Sequence, residues 1–300
     1  MTAFTLAHLS DPHLPPLPKP RLRELLGKRA LGYVNWVRNR KFRHAREIVD
    51  VLTADLLAQA PDHIAVTGDL VNIGLEAEFT PAIDWLRTIG SPHDVTLVPG
   101  NHDAYVASTW PRGVDVWRDY MRGDGAAHAS NLQFPFERRR GPLLLIGTST
   151  AVPTAPFMAT GRLGARQIAD LEALLSQHAA DDAFKVLLIH HPPRSARSRR
   201  HKRLTDASDL LGVLRRHGVD LILHGHDHTH SLTWFDGPAG RIPAVGVPSA
   251  SQVIDGKHDP AAYNLFRIVR DGHAWHCDWS VRGLASPETG VAELRQQELR

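Results

Sequence analysis

The sequence predicts an α/β protein whose first part is doubly wound and whose last part is antiparallel, and three observations support this fold class. Short apolar runs alternate with helical patterns between residues 4 and 223, at the spacing of βαβ units. Several runs are apolar throughout, as parallel strands are when helices cover both faces of the sheet. From residue 231 the apolar period changes to two, with Gly or Asp-Gly turns between segments, which indicates antiparallel strands of a second sheet.

The first half of the chain alternates predicted strands and helices. Strands are predicted at 4–10, 63–67 and 95–98, and helices at 21–37, over a segment ending near 60, and at 76–89. The segment 14–20 is proline-rich and cannot be helical. The 21–37 helix has an apolar stripe, but Gly27 and Gly32 weaken it and Arg29 lies within the stripe. Either the protein itself, with the helix as a lid, or a lipid surface would cover this stripe.

The second half continues this pattern and then changes it. A helix is predicted at 104–121 with a break at Pro111, followed by a loop at 123–135. Further strands are predicted at 143–147, 183–189 and 219–223. Helices are predicted around 168–175 and at 206–217, where Gly218 ends the second one. The antiparallel segments are predicted at 231–235, 242–247, 263–269 and 273–281.

Length and composition favour one catalytic domain with additions. Three hundred residues, of which 42% are hydrophobic, are enough for a large core. We expect the domain to span 1–283, with a basic helical insertion at about 15–46, and a polar tail at 284–300 that forms a frayed helix. The net charge is only +3, so the basic residues matter mainly through where they cluster.

The cysteine content and the lack of long apolar runs point to the cytoplasm. Cys277 is the single cysteine, which excludes an intramolecular disulfide and leaves metal binding to His, Asp and Asn. No run approaches the roughly 18 apolar residues of a membrane span. The N-terminus has no charged region of a signal peptide and leads directly into candidate ligands. We expect a cytoplasmic protein, with contact to the inner face of the membrane as an alternative and the oligomeric state open.

Five predicted strands end directly in side chains that bind metals. A single Gly-Asn-His-Asp or His-Pro-Pro sequence is most often a turn, but five such endings in one chain indicate a shared site. The carboxyl ends of strands in an open α/β sheet are also where ligands bind. In chain order the endings are Asp11 and His13; Asp69; Asn101, His102 and Asp103; His190; and His226 and His228.

The order and content of these endings resemble the calcineurin-like metallophosphoesterase superfamily, over roughly residues 4–230. The resemblance implies a four-layer α/β/β/α sandwich of two mixed sheets with two metal ions at its edge. It implies that Asp69 bridges the two ions. It further implies that Asp11, His13 and His228 hold the first ion, and that Asn101, His190 and His226 hold the second.

The ligand types agree with this implication on chemical grounds. Imidazole, carboxylate and amide groups without sulfur suit Mn²⁺, Fe or Zn²⁺, and we favour Mn²⁺ with Fe as co-occupant. Two cations lower the pKa of a shared water, so that a bridging hydroxide attacks phosphorus in line. By resemblance, His102 protonates or stabilises the leaving oxygen, and Asp103 orients its ring.

A basic loop at 194–203 follows the His190 strand end directly. We weigh a role in binding substrate phosphate against a solvated charge run, and the candidate substrate residues are Arg194, Arg199, Arg200 and Arg203. Other polar residues near the ligands have structural interpretations. We expect His191, His224 and His230 to pack in the core or to support a ligand. We expect Asn72 to form a turn.

Several functions fit these residues. The compact form most resembles class III cyclic-nucleotide and glycerophosphodiester phosphodiesterases, so the first hypothesis is a phosphodiesterase acting on a small nucleotide or glycerol phosphodiester. The alternative is a pyrophosphate hydrolase acting on a lipid-linked nucleotide sugar at the membrane surface, which the basic helix favours. A nuclease is less favoured because the basic loop lacks interleaved aromatic residues, so nucleic acid is not an expected partner. The complete ligand set argues against a non-catalytic scaffold.

Overall fold

The structure is a computed structural model, which describes residues 3–126, 132–194, 197–286 and 290–300, with the backbone alone at 197–199. Twelve strands within these ranges form two mixed sheets of six strands each. In chain order the strands are β1 (Phe4–Leu9), β2 (His63–Val66), β3 (Val95–Leu97), β4 (Phe136–Arg140), β5 (Leu143–Gly147), β6 (Phe184–Leu188), β7 (Leu221–His224), β8 (Ser231–Gly237), β9 (Gly240–Gly246), β10 (Ala262–Asp271), β11 (Ala274–Ser286) and β12 (Gly290–Glu298).

Each sheet combines parallel strands with antiparallel ones. The first has the order β12-β11-β10-β1-β2-β3, and the second has the order β4-β5-β6-β7-β9-β8. Strands β1, β2 and β3 run parallel, and so do β5, β6, β7 and β9. Because parallel strands have their carboxyl ends on the same edge, each sheet presents one edge at which several strand endings meet.

Helices cover the outer faces of the two stacked sheets, which gives the predicted four-layer sandwich. They are α1 (Lys28–Arg38), α2 (Arg46–Ala58), α3 (Glu76–Ile89), α4 (Trp110–Val116), α5 (Ala165–Gln177) and α6 (Ala207–His217). Leu6 of β1 and Val186 of β6 belong to one buried cluster that joins the sheets. Leu171 of α5 and Leu214 of α6 pack in a second cluster on the outer face of the second sheet. None of the helices in the described ranges combines the length and the apolar run that crossing a bilayer requires.

The antiparallel segments are distributed differently from the prediction. We expected them to form one second sheet of their own. Instead β8 and β9 extend the sheet that contains β7, while β10, β11 and β12 extend the sheet that contains β1. The alternating pattern reports that one face of a strand is buried, but it carries no information about the sheet that the strand joins.

One prediction at the C-terminus is corrected as well, and one strand was missed. The tail expected as a frayed helix is strand β12, which pairs antiparallel with β11. The side chains of β12 do not alternate between buried and exposed, so the sequence lacks a clear period of two there. Strand β4 was not predicted, because three consecutive Arg residues hide a strand in which Arg138 is buried.

The two helices with predicted interruptions begin later than expected. Gly27 adopts a φ of +67°, which stops the short 3-10 turn at Leu22–Glu24 from continuing into α1. Pro111 lies in the first turn of α4 and does not break a helix there, because a first-turn residue needs no N–H. Residues 104–109, which were expected to be helical, form turns and bends beside the strand endings.

Candidate metal centre

The predicted ligands meet at one edge of the sandwich, where the carboxyl ends of parallel strands from both sheets lie close together. Backbone hydrogen bonds join the endings of neighbouring strands: the N–H of Asp11 donates to the Gly68 carbonyl at 2.9 Å, and the N–H of His13 donates to the Asp69 carbonyl at 3.1 Å. The N–H of His226 donates to Oδ2 of Asp11 at 3.0 Å, which joins the second sheet to the first. The seven predicted ligands therefore come together although they are spread over 218 positions, from 11 to 228.

One group of ligands contains Asp11, His13 and His228. Oδ1 of Asp11 lies 3.0 Å from Nε2 of His228 and 3.7 Å from Nε2 of His13. The two Nε2 atoms lie 3.2 Å apart. The three side chains thus offer one ligand atom each within a space that suits one cation.

The second group contains Asp69, His190, His226 and Asn101. Nε2 of His190 lies 3.3 Å from Oδ2 of Asp69 and 3.2 Å from Oδ1 of Asn101. The His226 ring is near the His190 ring, with centroids 5.2 Å apart, and completes a triad of possible ligand atoms with Asp69 and His190. Oδ2 of Asp69 also lies 3.9 Å from Nε2 of His13, so this carboxylate faces both groups.

The ring hydrogen bonds of the histidines fit metal binding. Nδ1 of His13 donates to the Val71 carbonyl at 3.1 Å, and Nδ1 of His190 donates to the Thr67 carbonyl at 2.6 Å. A carbonyl can only accept, so Nδ1 of both rings is protonated, and their Nε2 atoms, which face the carboxylates, are the atoms that would offer lone pairs to a metal ion. Backbone carbonyls commonly orient metal-binding histidines in this way.

Backbone strain is concentrated at the same residues. Seven residues other than glycine have a positive φ in the described part of the chain, and five of them are predicted ligands: Asp11, His13, Asp69, His226 and His228. A side chain in this left-handed region costs roughly 1–3 kcal/mol. Strain of this kind persists where a function holds it, which supports a binding site at these five positions.

The buried charges of the centre determine its protonation. Burial raises the pKa of Asp69, but the positive charge of His190 and its hydrogen bond to the carboxylate outweigh this effect and hold the pKa well below its ordinary value. Burial lowers the pKa of His190, but Asp69 and Asp11 more than offset it and raise the pKa to about 10. Without a metal ion, a proton on His190 therefore balances part of the negative charge of the site.

His102 lies beside the ligands, as predicted, but its ring has a different partner from the predicted one. Its Nδ1 atom donates a short hydrogen bond to the Asn72 carbonyl. The guanidinium of Arg40 lies 3.2 and 3.3 Å from its two ring nitrogens. Burial and the charge of Arg40 lower the pKa of His102 to about 3, so the ring is neutral at neutral pH.

The role predicted for Asp103 is wrong, because its carboxylate orients backbone and not the His102 ring. It accepts hydrogen bonds from four backbone N–H groups, at 2.8–3.3 Å, of Gly100, Asp69, Leu70 and Val71. Burial and the charge of Asp69 raise the pKa of Asp103 to about 7, against the opposite effect of these N–H donors. Asp103 thus joins the end of β2 to the end of β3. The carbonyl that orients His102 belongs instead to Asn72, which was predicted only as a turn residue.

Three of the four arginines predicted to bind substrate, Arg194, Arg200 and Arg203, are not among the residues that line the cleft over the metal centre. Arg200 and Arg203 are exposed, and the Arg194 guanidinium lies 5.5 Å from the ring of Phe235 on β8. The side chain of Arg199 lies outside the described residues. Of the loop's described side chains, Lys202 is the one that lines the cleft.

The cleft has a volume of about 440 Å³, and part of its lining was not predicted. The unpredicted polar lining residues come mainly from α1, the turn after it and the segment near 252: Asn35, Asn39, Arg40, Arg43, His44, Lys202, Gln252 and His258. The spacing of Arg40 and Arg43, three residues apart, is a signal that could have indicated one shared face. His191 is a packing residue, as expected, since its ring bonds Thr150 Oγ1 at 2.7 Å and the Ala159 carbonyl at 3.1 Å.

A four-layer sandwich with two ligand groups that share one carboxylate at the strand ends defines the class of calcineurin-like phosphoesterases. The chain belongs to this family, whose sequence model matches residues 4–230. It is 27% identical over 185 residues to the glycerophosphodiester phosphodiesterase GpdQ of Enterobacter lignolyticus, and this match covers 60% of each chain. It is 25% identical over 221 residues to a probable cyclic nucleotide phosphodiesterase of Synechococcus, covering 73% of this chain and 76% of that one.

Solved structures share the fold at lower identity. A dimetal phosphatase from Danio rerio superposes with a TM-score of 0.63 at 14% identity, over 99% of this chain and 98% of that one. A purple acid phosphatase from yellow lupin gives the same TM-score at 13% identity, over 99% of this chain and 53% of that one. These similarities establish the architecture, and the predicted α/β/β/α sandwich is confirmed.

Proposed function

We propose that the protein hydrolyses phosphodiesters at a centre for two metal ions. The observation that carries this proposal is the position of Asp69, whose Oδ2 atom lies 3.3 Å from Nε2 of His190 and 3.9 Å from Nε2 of His13. A single carboxylate between two ligand groups suits a pair of ions that act together on one phosphate. The backbone N–H of His102 donates to Oδ1 of Asp69 at 2.6 Å, which leaves Oδ2 for the ions.

The seven predicted ligands keep the roles that the family resemblance implies. The first ion would be held by Asp11, His13 and His228, the second by Asn101, His190 and His226, and both by Asp69. When bound, the two ions supply Lewis acidity and a water nucleophile at neutral pH. A donor set of imidazole, carboxylate and amide supports Mn²⁺, Fe or Zn²⁺, and we propose Mn²⁺ with Fe as co-occupant.

In this proposal His102 serves the leaving oxygen. Its Nδ1 atom is occupied by the Asn72 carbonyl, so only Nε2 can carry a proton to substrate, and the ring does this as an imidazolium. Since burial and Arg40 lower the pKa of His102 to about 3, a bound anionic substrate is needed to favour the protonated ring.

The proposed substrate is a small phosphodiester of a nucleotide or of glycerol, as the names of the two relatives suggest. The test combines metal analysis with a substrate panel. The purified protein, loaded with Mn²⁺, is assayed on bis-p-nitrophenyl phosphate, p-nitrophenyl phosphate, cyclic AMP and glycerophosphodiesters. We expect about two ions per chain and a preference for diesters. A preparation that binds no metal, or that hydrolyses only the monoester, would contradict the proposal.

A second candidate is a hydrolase of a lipid-linked nucleotide sugar, and exposed apolar residues favour it. Leu22 and Leu26 are 89% and 75% exposed, and Phe157 is 83% exposed. The two segments are adjacent, because Nζ of Lys28 donates to Oγ1 of Thr154 at 2.7 Å. Apolar side chains among Lys and Arg suit an anionic bilayer at the inner face of the membrane.

Vesicle sedimentation tests this candidate directly. Binding to anionic liposomes at physiological salt that is lost in the Leu22→Glu/Leu26→Glu variant supports it. The matched control is Val51→Glu/Leu57→Glu on α2, where the replaced side chains are 48% and 42% exposed. This control variant should bind vesicles as the unmodified protein does. No binding by the unmodified protein removes this candidate and leaves the cytoplasmic phosphodiesterase.

A further inference from the structure

We propose that Arg40, Arg43 and Lys202 form a subsite for a second phosphate group of the substrate, beside the metal centre. The inference rests on the proposed function and deepens it, because it specifies the chemical class of the substrate. The expected substrate is a phosphodiester in which one of the alcohols carries a further phosphate. None of these three residues is among the predicted ligands, and they come from two separate segments of the chain.

Arg40 is positioned against His102, and within the described residues it forms no direct ion pair. Its guanidinium lies against both ring nitrogens of His102, at 3.2 and 3.3 Å. Within the described residues, no carboxylate oxygen pairs with Arg40 or with Arg43. Burial lowers the pKa of the Arg40 guanidinium, which reflects the cost of removing this cation from water. A phosphate oxygen would compensate that cost with charge-assisted hydrogen bonds.

The backbone next to Arg43 is held in place. The Arg43 carbonyl accepts a hydrogen bond from Val253 N–H at 2.8 Å, and the N–H of Ala45 donates to the Ser251 carbonyl at 3.1 Å. A short 3-10 turn begins at Arg40 and ends at Arg43. The same backbone connections therefore position both residues. A binding group held in this way loses little conformational entropy when a ligand arrives.

Lys202 is anchored independently, through its backbone, at a ligand of the second group. Its carbonyl accepts a hydrogen bond from Nε2 of His226 at 2.9 Å. The neighbouring carbonyls are also bonded, His201 to the N–H of Ala159 at 2.9 Å and Arg203 to the N–H of Gly161 at 3.1 Å. Arg40 is therefore placed beside His102, and the backbone of Lys202 is held at His226, so two independent segments bring cations to the cleft.

The remaining lining of the cleft agrees with a small ligand that carries more negative charge than a simple diester. Among the described residues that line the cleft, Asp69 is the only carboxylate, and it belongs to the metal centre. The neutral side chains Asn35, Asn39 and Gln252 offer amides to the alcohol portion of a substrate. A volume of about 440 Å³ accommodates a small diester. A diester without another charge would leave Arg40 and Arg43 without a phosphate partner.

The test compares two substrates that differ only in the second phosphate, p-nitrophenyl propyl phosphate and p-nitrophenyl 3-phosphopropyl phosphate. We expect kcat/KM to be about 10-fold or more higher for the charged substrate, as charge-assisted contacts allow. Arg43→Gln and Lys202→Gln should each reduce this ratio by about 3- to 10-fold. Arg38→Gln and Arg203→Gln are matched controls that remove the same charge from the same two segments outside the cleft lining, and they should keep the ratio.

A binding measurement separates this inference from the proposed function. Calorimetry with propane-1,3-bisphosphonate and the metal-free protein should show binding that weakens in Arg43→Gln and Lys202→Gln but not in the two controls. A ratio near one in the unmodified protein, or a ratio that falls equally in the controls, would overturn the subsite. If neither p-nitrophenyl substrate is hydrolysed with Mn²⁺, the proposed function fails, while bisphosphonate binding lost in the two cleft variants would still support the subsite.

Discussion

Nε2 of His190 lies 3.3 Å from Oδ2 of Asp69, although the two residues follow strands of different sheets. The imidazole ring is held from behind by the Thr67 carbonyl, which precedes Asp69 by two residues. This contact joins the carboxyl ends of β2 and β6 at the centre of the site. An ion bound here would therefore hold the two sheets together as well as bind substrate.

Replacing Asp69 tests the bridging role. Asp69→Asn removes a negative charge that faces both ligand groups, so metal content should fall below two ions per chain. We expect kcat to fall by more than roughly 100-fold, the upper range for residues that only support a ligand. Plasma emission analysis and diester hydrolysis give the two readouts, with exposed Asp84→Asn as the control. Two bound ions with near-normal turnover would exclude a bridging carboxylate.

His102→Ala should separate chemistry from metal binding. The variant should keep both ions and lose roughly 10²- to 10⁴-fold in kcat on a diester with an alkyl leaving group. The loss should be smaller with p-nitrophenolate, which needs little protonation when it leaves. The measurement is kcat on the two diesters at equal metal loading. An equal loss on both would show that the ring orients the phosphate and does not protonate the leaving oxygen.

Asp103→Asn tests the backbone role that replaces the predicted catalytic one. The amide keeps one acceptor oxygen, so two of the four N–H donors lose their partner. Each such loss costs roughly 1–3 kcal/mol, and we expect the free energy of unfolding to fall by about 2–5 kcal/mol. Urea unfolding of the metal-free protein measures this, with exposed Asp115→Asn for comparison. A variant as stable as the unmodified protein but inactive would restore the catalytic interpretation.

His63 should make the fold sensitive to acid at a site remote from the metal centre. Burial, with Arg140 and Arg138, lowers the pKa of His63 from 6.5 to about 3, and its Nε2 atom lies 2.8 Å from Oγ1 of Thr96. Between these two values the unfolded chain binds more protons than the folded one, so stability is complete above pH 6.5 and is lost as the pH falls. The slope is about 1.4 kcal/mol per pH unit.

The measurement is urea unfolding of metal-free protein at pH 7 and pH 5. The unmodified protein should lose roughly 2 kcal/mol more between these conditions than His63→Gln, which has no proton to gain. Comparing the two pH values within each variant cancels the effect of the substitution itself on packing. Equal losses in the two proteins would show that His63 is not held in its neutral form by the fold.

The sequence by itself was sufficient to predict the strands that deliver the ligands. Asp69 and His190 each follow an apolar run within a few residues, and parallel strands present their carboxyl ends on one edge. This information is local, because burial on both faces makes a strand apolar throughout and a turn residue marks its end. The limits of α3, predicted at 76–89, were confirmed for the same reason, since the helical period lies within the segment.

Only the tertiary structure determined which groups surround the ligands. Asp103 contacts backbone up to 34 positions away, and Arg40 contacts His102 over a separation of 62 positions. Strand β12 joins the same sheet as β1, at the opposite end of the chain. The sequence pattern at each of these positions records polarity or period, but not the partner. A partner is selected when the whole chain packs, because hydrogen bonds and charges between distant segments depend on where both segments lie. For this reason the positions of the candidate ligands could be proposed from local patterns, whereas the cations of the cleft and the orientation of His102 could not.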